Sequence, residues 1–136
     1  MFKKLLNAQL NDGQINLSLI ILRISLGAMM LSHGFPKFQK LLSGDMRFAD
    51  PIGLGMEISL VLAVIAEFLG SLMLIFGIGT RIGAFLGGFT MLVAALIQHA
   101  DDPFGTKEKA LLYLAGYVVI FISGGGKYSL DKRLNS

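Results

Sequence analysis

Two ionisable side chains lie inside apolar stretches of this sequence. Arg23 stands in "LIILRISLGAMML" and Glu67 stands in "LVLAVIAEFLGSLMLIFG". In a helix that crosses a bilayer, each such charge costs about 2.5 to 3.5 kcal/mol at the bilayer centre. Ionisable residues at that depth usually pair with each other or mark a path for a substrate, a proton or a cofactor. Arg23 and Glu67 are therefore the first candidates for chemistry.

The depths of the two charges predict that they pair. Arg23 precedes the polar residue His33 by ten positions, and Glu67 follows Glu57 by ten, so each would lie about 15 Å into an antiparallel pair of helices. One interpretation is an internal ion pair that fixes the register of the helices. The other is a site in which Glu67 handles a proton and Arg23 tunes its affinity for that proton.

A second group of polar residues lies where two apolar segments end on the same side. His33 and Lys37 follow the first segment, and Gln98 and His99 end the third. These four side chains could hydrogen-bond the polar head of a small lipophilic molecule, or they could be solvated helix ends. Haem ligation by the two histidines is disfavoured because haem ligands normally lie deeper, and the histidine spacing supports no metal site.

The elements that would position these residues are membrane helices. Of the 136 residues 54% are hydrophobic and 15% charged, and the mean hydropathy is +0.68, which exceeds the values of soluble domains. We predict an all-α integral membrane four-helix bundle, a single domain over 15–136, with crossings at about 15–33, 55–79, 82–100 and 107–123. The chain has no cysteine, which excludes disulfides and thiolate-bound metals or clusters. Its net charge of +3 is scattered, so nucleic acid is not an expected partner.

Two connecting segments stand out. Residues 1–14, "MFKKLLNAQLNDGQ", have too short an apolar run for a signal peptide. We expect an uncleaved interfacial arm that places apolar side chains in the lipid boundary and two lysines among the headgroups: Met1, Phe2, Leu5 and Leu6, with Lys3 and Lys4. The long first loop, Phe35 to Gly53, is either a functional cap or re-entrant segment, or a plain interfacial helix over Phe38 to Leu42.

The distribution of charge gives a weak indication of orientation. An even number of crossings puts both termini on one side, where six Lys and Arg residues lie against five on the other. The terminal side has only two acidic residues and the other side has six. Cytoplasmic termini are therefore expected, and the reversed topology is the alternative.

Three separated stretches carry a resemblance to a known family. "LRISLGAMMLSHGFPKF", "AEFLGSLMLIFGIGTRIGA" and "GGGKYSLD" occur in this order, and the chain from about Leu17 to Leu134 resembles the DoxX family of small bacterial membrane proteins. The resemblance implies a four-helix protein of the bacterial inner membrane. It also implies relatives linked to thiosulfate:quinone oxidoreductase, to quinone or catechol stress and to oxidative-stress complexes. The family pattern maps onto Arg23, Gly27, His33, Gly34, Lys37, Phe38, Glu67, Gly70, Gly77, Thr80, Arg81 and Asp131.

The leading functional hypothesis is a quinone- or quinol-associated subunit of a membrane redox system. Glu67 and Arg23 would be its catalytic pair, and His33, Lys37, Gln98 and His99 would bind the ligand. Electrons would come from a redox partner protein, because the chain without cysteine does not look like a complete enzyme on its own. The alternatives are a membrane scaffold for peripheral oxidative-stress enzymes and a transporter of a small hydrophobic solute. A homo-oligomer is compatible with each of them.

Overall fold

The described part of the chain forms helices joined by loops and turns. A computed structural model describes residues 2–136, and it contains no strand within them. This confirms the predicted all-α class. The six helices are α1 (Phe2–Leu5), α2 (Asp12–Ser43), α3 (Met56–Phe76), α4 (Thr80–Gln98), α5 (Phe104–Ser123) and α6 (Leu130–Leu134).

Three of these helices combine the length and the apolar composition of a membrane span. They are α2, α3 and α4, of 32, 21 and 19 residues. Helix α5 has 20 residues, which is also enough to cross about 30 Å of hydrocarbon. Its first turns, however, contain Lys107, Glu108 and Lys109. The predicted membrane character therefore holds for three helices by length and composition.

Helix α2 does not end at His33, as the sequence had led us to expect. It begins at Asp12, where the side chain of Asn11 accepts a hydrogen bond from the Gln14 N–H, and it continues through Pro36 to Ser43. Proline lacks an N–H and ordinarily ends or kinks a helix, but here it lies inside one. The 32 residues make a helix about 48 Å long, which exceeds the hydrocarbon thickness.

Small residues allow the long helices to approach closely. A Cβ atom at Gly34 of α2 would overlap the backbone of Glu67 in α3. A Cβ atom at Gly87 of α4 would lie 2.5 Å from the ring of Tyr117 in α5. These contacts surround one apolar core, which comprises Leu26, Met30, Leu74, Ala84, Met91, Ala95, Ala110, Tyr113, Tyr117 and Ile120.

Helices α3 and α4 each contain one π-helical turn. In α3 it covers Ile65–Leu69, and the N–H of Gly70 bonds to the carbonyl of Ile65. In α4 it covers Ala94–Gln98, where the N–H of His99 donates to the Ala94 carbonyl at 2.9 Å. Such turns are rare and often lie at functional sites. Here they contain two of the predicted site residues, Glu67 and Gln98.

The N-terminal arm is a short helix with exposed apolar side chains. Phe2, Leu5 and Leu6 are 82%, 77% and 81% exposed, which fits the expected position in a lipid boundary. Met1, which was expected beside them, lies outside the described residues. The arm is also shorter than the predicted 1–14, because α2 begins at Asp12.

The long first loop is shorter than expected, because residues 35–43 are part of α2. The stretch from Phe38 to Leu42 is therefore helical, but as a continuation of α2 and not as a separate interfacial helix. The remaining loop reaches α3 through Asp50, whose carboxylate accepts the backbone N–H groups of Leu54 at 2.8 Å and Gly55 at 3.0 Å. These bonds lower the pKa of Asp50, Gly55 contributing most, and they fasten the loop to the start of α3.

Candidate functional site

Arg23 does not pair with Glu67, so the predicted ion pair is wrong. The guanidinium is 2% exposed and donates to the carbonyl oxygens of Leu74 at 2.7 Å, Ile75 at 3.0 Å and Tyr128 at 3.1 Å. Leu74 and Ile75 belong to the last turn of α3. Arg23 therefore lies beside the end of α3, about two turns away from Glu67 along that helix.

Asp131 completes a cluster around this end of α3. Its carboxylate accepts the N–H groups of Gly79 at 2.7 Å and Thr80 at 2.9 Å and the Thr80 hydroxyl at 2.6 Å. Its own N–H donates to the Gly77 carbonyl at 2.8 Å. Burial raises the pKa of Asp131, but these hydrogen bonds and the charge of Arg23 outweigh it and leave the pKa below its usual value.

We call Arg23, Gly77, Thr80 and Asp131 the Arg23–Asp131 cluster. Its charged groups are directed at backbone carbonyl and N–H groups of the α3–α4 turn and of the C-terminal segment. Charge-assisted hydrogen bonds of this kind satisfy the groups that helix ends leave unpaired. Arg23 therefore has a structural role, as in the first of its two interpretations. Its partners, however, are backbone carbonyl groups and not Glu67.

The partner of Glu67 is Lys37. The Lys37 ammonium forms an ion pair and hydrogen bond with Oε2 of Glu67. The Glu67 side chain is 6% exposed and the Lys37 side chain 25%. Gly34, one turn before Lys37 on α2, packs on the Glu67 backbone, so the close approach of the two helices delivers Lys37 to the carboxylate. Sequence reasoning had assigned Lys37 to ligand binding but had not paired it.

Aromatic side chains fix α2 and α3 beside this ion pair. The rings of Phe38 and Phe68 are stacked, with centroids 4.2 Å apart and planes 5° from parallel. Phe35 lies 6.4 Å from the same Phe68 ring. Because Phe38 follows Lys37 and Phe68 follows Glu67, the stack limits how far the two charged side chains can separate.

A cavity of about 500 Å³ opens between α2, α3, α4 and the long loop. Lys37 and Glu67 lie on its wall together with Gln98 and His99. The other polar side chains on the wall are Ser59 and Thr90, and the remainder is apolar: Phe48, Ala49, Pro51, Ile52, Leu62, Ala63, Ile65, Ala66, Leu86, Phe89, Val93 and Ala94. The volume and the mainly apolar lining are typical of small-molecule sites.

The structure brings five of the six predicted site residues into two places. Lys37, Glu67, Gln98 and His99 share the cavity, and Arg23 lies in the other cluster. The sixth, His33, is exposed, and its ring packs edge-on against Tyr113 with centroids 6.3 Å apart. His33 is not among the residues that line the cavity.

The long loop supplies residues that the sequence had not singled out. Phe48, Ala49, Pro51 and Ile52 form one wall of the cavity, as the interpretation of this loop as a cap requires. No local signal in the sequence marked these residues. Their role follows from the attachment of Asp50 to α3, which also includes a bond of 3.0 Å from the Ser59 hydroxyl.

Most of the polar side chains on the cavity wall already have partners. The Ser59 hydroxyl donates to Asp50, the Thr90 hydroxyl to the Leu86 carbonyl at 3.0 Å. The ring Nδ1 of His99 lies 2.6 Å from an Asp102 carboxylate oxygen. Within residues 2–136, no group of three or more His, Asp or Glu side chains is arranged to hold a metal. The Lys37–Glu67 ion pair is thus the main charged feature of the cavity.

Comparison with known proteins identifies the family. The DoxX family matches residues 18–100. The inner membrane protein YqjF of Escherichia coli (strain K12) is 30% identical over 125 residues, which cover 88% of this chain and 94% of YqjF. A Bacillus subtilis (strain 168) protein named "Putative oxidoreductase CatD" is 31% identical over 82% of this chain and 83% of its own.

A further relative, an uncharacterized protein of Haemophilus influenzae, is 30% identical over 85% of this chain and 89% of its own. No solved structure matches the chain significantly. The family match covers more than half of the chain, and the relatives align over most of their lengths. The chain is therefore a member of the DoxX family.

Proposed function

We propose that this protein is the membrane subunit that binds a quinone or quinol for a membrane redox system. The observation that carries the proposal is an ion pair, Lys37 with Glu67, on the wall of an otherwise mainly apolar cavity. A quinone-type molecule has an apolar ring and oxygen atoms that need hydrogen-bonding partners. The cavity offers an apolar surface for the first and a charged donor and acceptor for the second.

The positions of the π-helical turns support this assignment. Both turns, Ile65–Leu69 and Ala94–Gln98, contribute residues to the cavity wall. A π-helical turn interrupts regular helical bonding and is frequently found at functional sites. Two of them beside one cavity support a binding site more than a purely structural core.

The roles of the charged residues change from those expected from the sequence. Lys37, not Arg23, is the partner that holds the Glu67 carboxylate. We assign proton handling to Glu67 and charge compensation to Lys37, whose side chain reaches toward the exposed edge of the site. Gln98 and His99 line the far end of the same cavity, at the end of α4, where they could contact a ligand that extends beyond the ring. The chain has no cysteine, so the electrons would come from a redox partner protein.

The membrane arrangement is part of the same proposal. We assign α5 as a fourth crossing, because it is 20 residues long and packs on α4 through Tyr117 and Gly87. Lys107 and Lys109 would then extend toward the headgroups. Four crossings put both termini on one side, which we propose is the cytoplasmic side of a bacterial inner membrane. The name of YqjF as an inner membrane protein and the oxidoreductase in the name of CatD support these assignments.

The test is to identify what the protein carries out of the membrane. The full chain is purified in mild detergent, and its extracted lipids are analysed by mass spectrometry for wild type, Glu67→Gln and Glu57→Gln. Glu57 is the matched control, because it lies at the exposed start of the same helix. We expect a quinone near one molecule per chain in wild type and Glu57→Gln, and about a tenfold loss in Glu67→Gln, the effect of one charge-assisted hydrogen bond.

Other results would assign another function. A quinone content equal in all three proteins would show nonspecific lipid and contradict the site. A quinone absent from all three, together with intact capture of peripheral enzymes by Glu67→Gln, would indicate a scaffold. Uptake of a hydrophobic solute into vesicles that Glu67→Gln abolishes, without bound quinone, would indicate a transporter.

A further inference from the structure

We propose that the cavity binds the reduced, hydroquinone form of its ligand more tightly than the oxidised, quinone form. This inference rests on the proposed function and adds a preference between two redox states. It follows from how the hydrogen-bonding capacity of the Lys37–Glu67 ion pair is used.

One oxygen of the Glu67 carboxylate can accept a further hydrogen bond. Within residues 2–136, its hydrogen bond is the one from Lys37, and that bond ends on Oε2. Oε1 is therefore an acceptor without a donor, on a residue that lines the cavity and is 4% exposed. A ligand that covers a carboxylate oxygen without giving it a donor pays a free-energy penalty. A ligand that brings a donor to Oε1 avoids this penalty.

The Lys37 ammonium has N–H groups that can donate further hydrogen bonds. An ammonium group carries three N–H bonds, and the described residues show one of them directed at Glu67. The cavity wall therefore presents a free acceptor next to free donors. A hydroxyl group matches both, because it donates its hydrogen to Oε1 of Glu67 and accepts from Lys37 through its oxygen.

A quinone carbonyl matches only half of this arrangement. It accepts from Lys37, but it has no hydrogen for Glu67, and its oxygen would face a carboxylate oxygen of like partial charge. Oε1 is then covered by the ligand without receiving a donor, which is unfavourable. The quinone form is therefore bound with one charge-assisted hydrogen bond fewer than the hydroquinone form.

Other polar groups of the cavity do not reverse this difference. Ser59 and Thr90 donate to Asp50 and to the Leu86 carbonyl. Gln98 could donate to a carbonyl, but it lies too far along α4. Gly70 packs on Gly83, which places Glu67 near the level of Leu86, and Gln98 is then about 18 Å further along the helix. One aromatic ring cannot contact both ends.

Three small probes that share one trimethylated six-membered ring test the inference. They are 2,3,5-trimethyl-1,4-hydroquinone, its dimethyl ether, which lacks the hydroxyl donors, and the corresponding quinone. Binding to the full chain in detergent is measured by equilibrium dialysis without oxygen. We expect the hydroquinone to bind at least about tenfold more tightly than the ether or the quinone, the effect of one charge-assisted hydrogen bond.

Variants assign this preference to Glu67. In Glu67→Gln the side chain offers an amide donor as well as an acceptor, so the preference for hydroquinone should fall below about threefold. The exposed control Glu57→Gln should retain it. Should Glu67→Gln fail to fold, the three probes on the wild-type protein still decide the question.

The outcomes separate this inference from the proposed function. Equal binding of hydroquinone and quinone, or tighter binding of the quinone, would overturn the preference and leave the quinone site standing. Equal binding of hydroquinone and dimethyl ether would show that the hydroxyl donor is not used. Binding of none of the three would overturn the proposed function and the preference with it.

Discussion

Two groups of charged residues lie along the α2–α3 contact, and they use their charges differently. The Arg23–Asp131 cluster directs every described bond of its charged side chains at backbone or hydroxyl groups of the same chain. In the Lys37–Glu67 ion pair the two side chains bond to each other. Further donors of Lys37 and one acceptor of Glu67 remain on a cavity wall. The first arrangement is buried among backbone groups, with only the Arg23 Nε left without a partner among the buried polar side-chain atoms of residues 2–136, and the second faces a cavity.

The difference shows why burial alone does not identify a functional charge. Arg23 and Glu67 are both nearly buried, at 2% and 4% exposure. A charge whose neighbours are carbonyl and N–H groups of helix ends contributes to folding. A charge with unused hydrogen-bonding capacity beside a cavity is available for binding or proton transfer. The cavity beside Lys37 and Glu67 separates the two cases, since Arg23 is not among the residues that line it.

The largest effect that this comparison predicts is on stability, at Arg23. Arg23→Met leaves three carbonyl oxygens without their donor and removes a positive charge from beside Asp131. We expect a loss of roughly 3 to 5 kcal/mol in the free energy of unfolding, as when one partner of a buried charged network is removed. Helical circular dichroism during denaturant titration in detergent measures it.

The control for this variant is Arg47→Met. The Arg47 side chain is 85% exposed and contacts Asp45 in the loop, so its loss should leave the stability nearly unchanged. Equal effects of the two variants would contradict the structural role of the Arg23–Asp131 cluster.

A smaller effect on stability is expected at Lys37. Lys37→Met leaves the Glu67 carboxylate nearly buried and without its partner. We expect a loss of about 1 to 3 kcal/mol, less than for a fully buried pair because Lys37 is partly exposed. The double variant Lys37→Met, Glu67→Leu should recover most of this loss, since an apolar pair can replace a buried ion pair.

The double variant should nevertheless fail to bind the hydroquinone probe. Recovery of stability without recovery of binding would show that the ion pair is kept for its ligand and not for the fold. If the double variant is no more stable than Lys37→Met, the Lys37–Glu67 ion pair is as structural as the Arg23–Asp131 cluster, and the comparison fails.

The smallest effect is a pH dependence at Asp131. Its pKa in the folded protein lies below the usual value near 3.9. Its ionised form therefore stabilises the fold fully above that usual value, and the contribution is lost as the pH falls through the folded pKa. Asp131→Asn should cost on the order of 1 kcal/mol at neutral pH, because the carboxyl is partly exposed, and progressively less toward about pH 3.

Unfolding titrations of Asp131→Asn and wild type across this range measure the change. Asp101→Asn, at an exposed carboxyl between α4 and α5, is the control and should keep the stability of the wild type at neutral pH. A difference between Asp131→Asn and wild type that grows toward acid would contradict the stabilising role of the ionised carboxylate.

The error in the predicted ion pair has a specific cause. His33, Gly34 and Pro36 together are typical of a helix end, so the depth of Arg23 was measured from His33. The helix in fact ends at Ser43, ten residues further on. Measured from the true end, Arg23 lies beside the last turn of α3, and Lys37 lies beside Glu67. The wrong end of α2 therefore led to a wrong predicted partner for both Arg23 and Glu67.

The cavity could be predicted only in part for a related reason. Lys37, Gln98 and His99 were grouped because two helix ends face the same side, and that topological argument does not depend on helix register. The contribution of the loop residues Phe48 and Ile52 depends on how Asp50 attaches to α3. Such attachment is a long-range property that no local pattern encodes.

Composition and pattern were enough to predict the helical class, the apolar character of three helices that are long enough to span a membrane, and the unusual position of two charges inside apolar segments. These follow from composition and from the period of the helix, which are local properties. The tertiary structure alone decided which charges meet, because the register of two helices is set by the close contact of Gly34 with the Glu67 backbone. A shift of a few residues along a helix moves a side chain by more than the reach of a hydrogen bond.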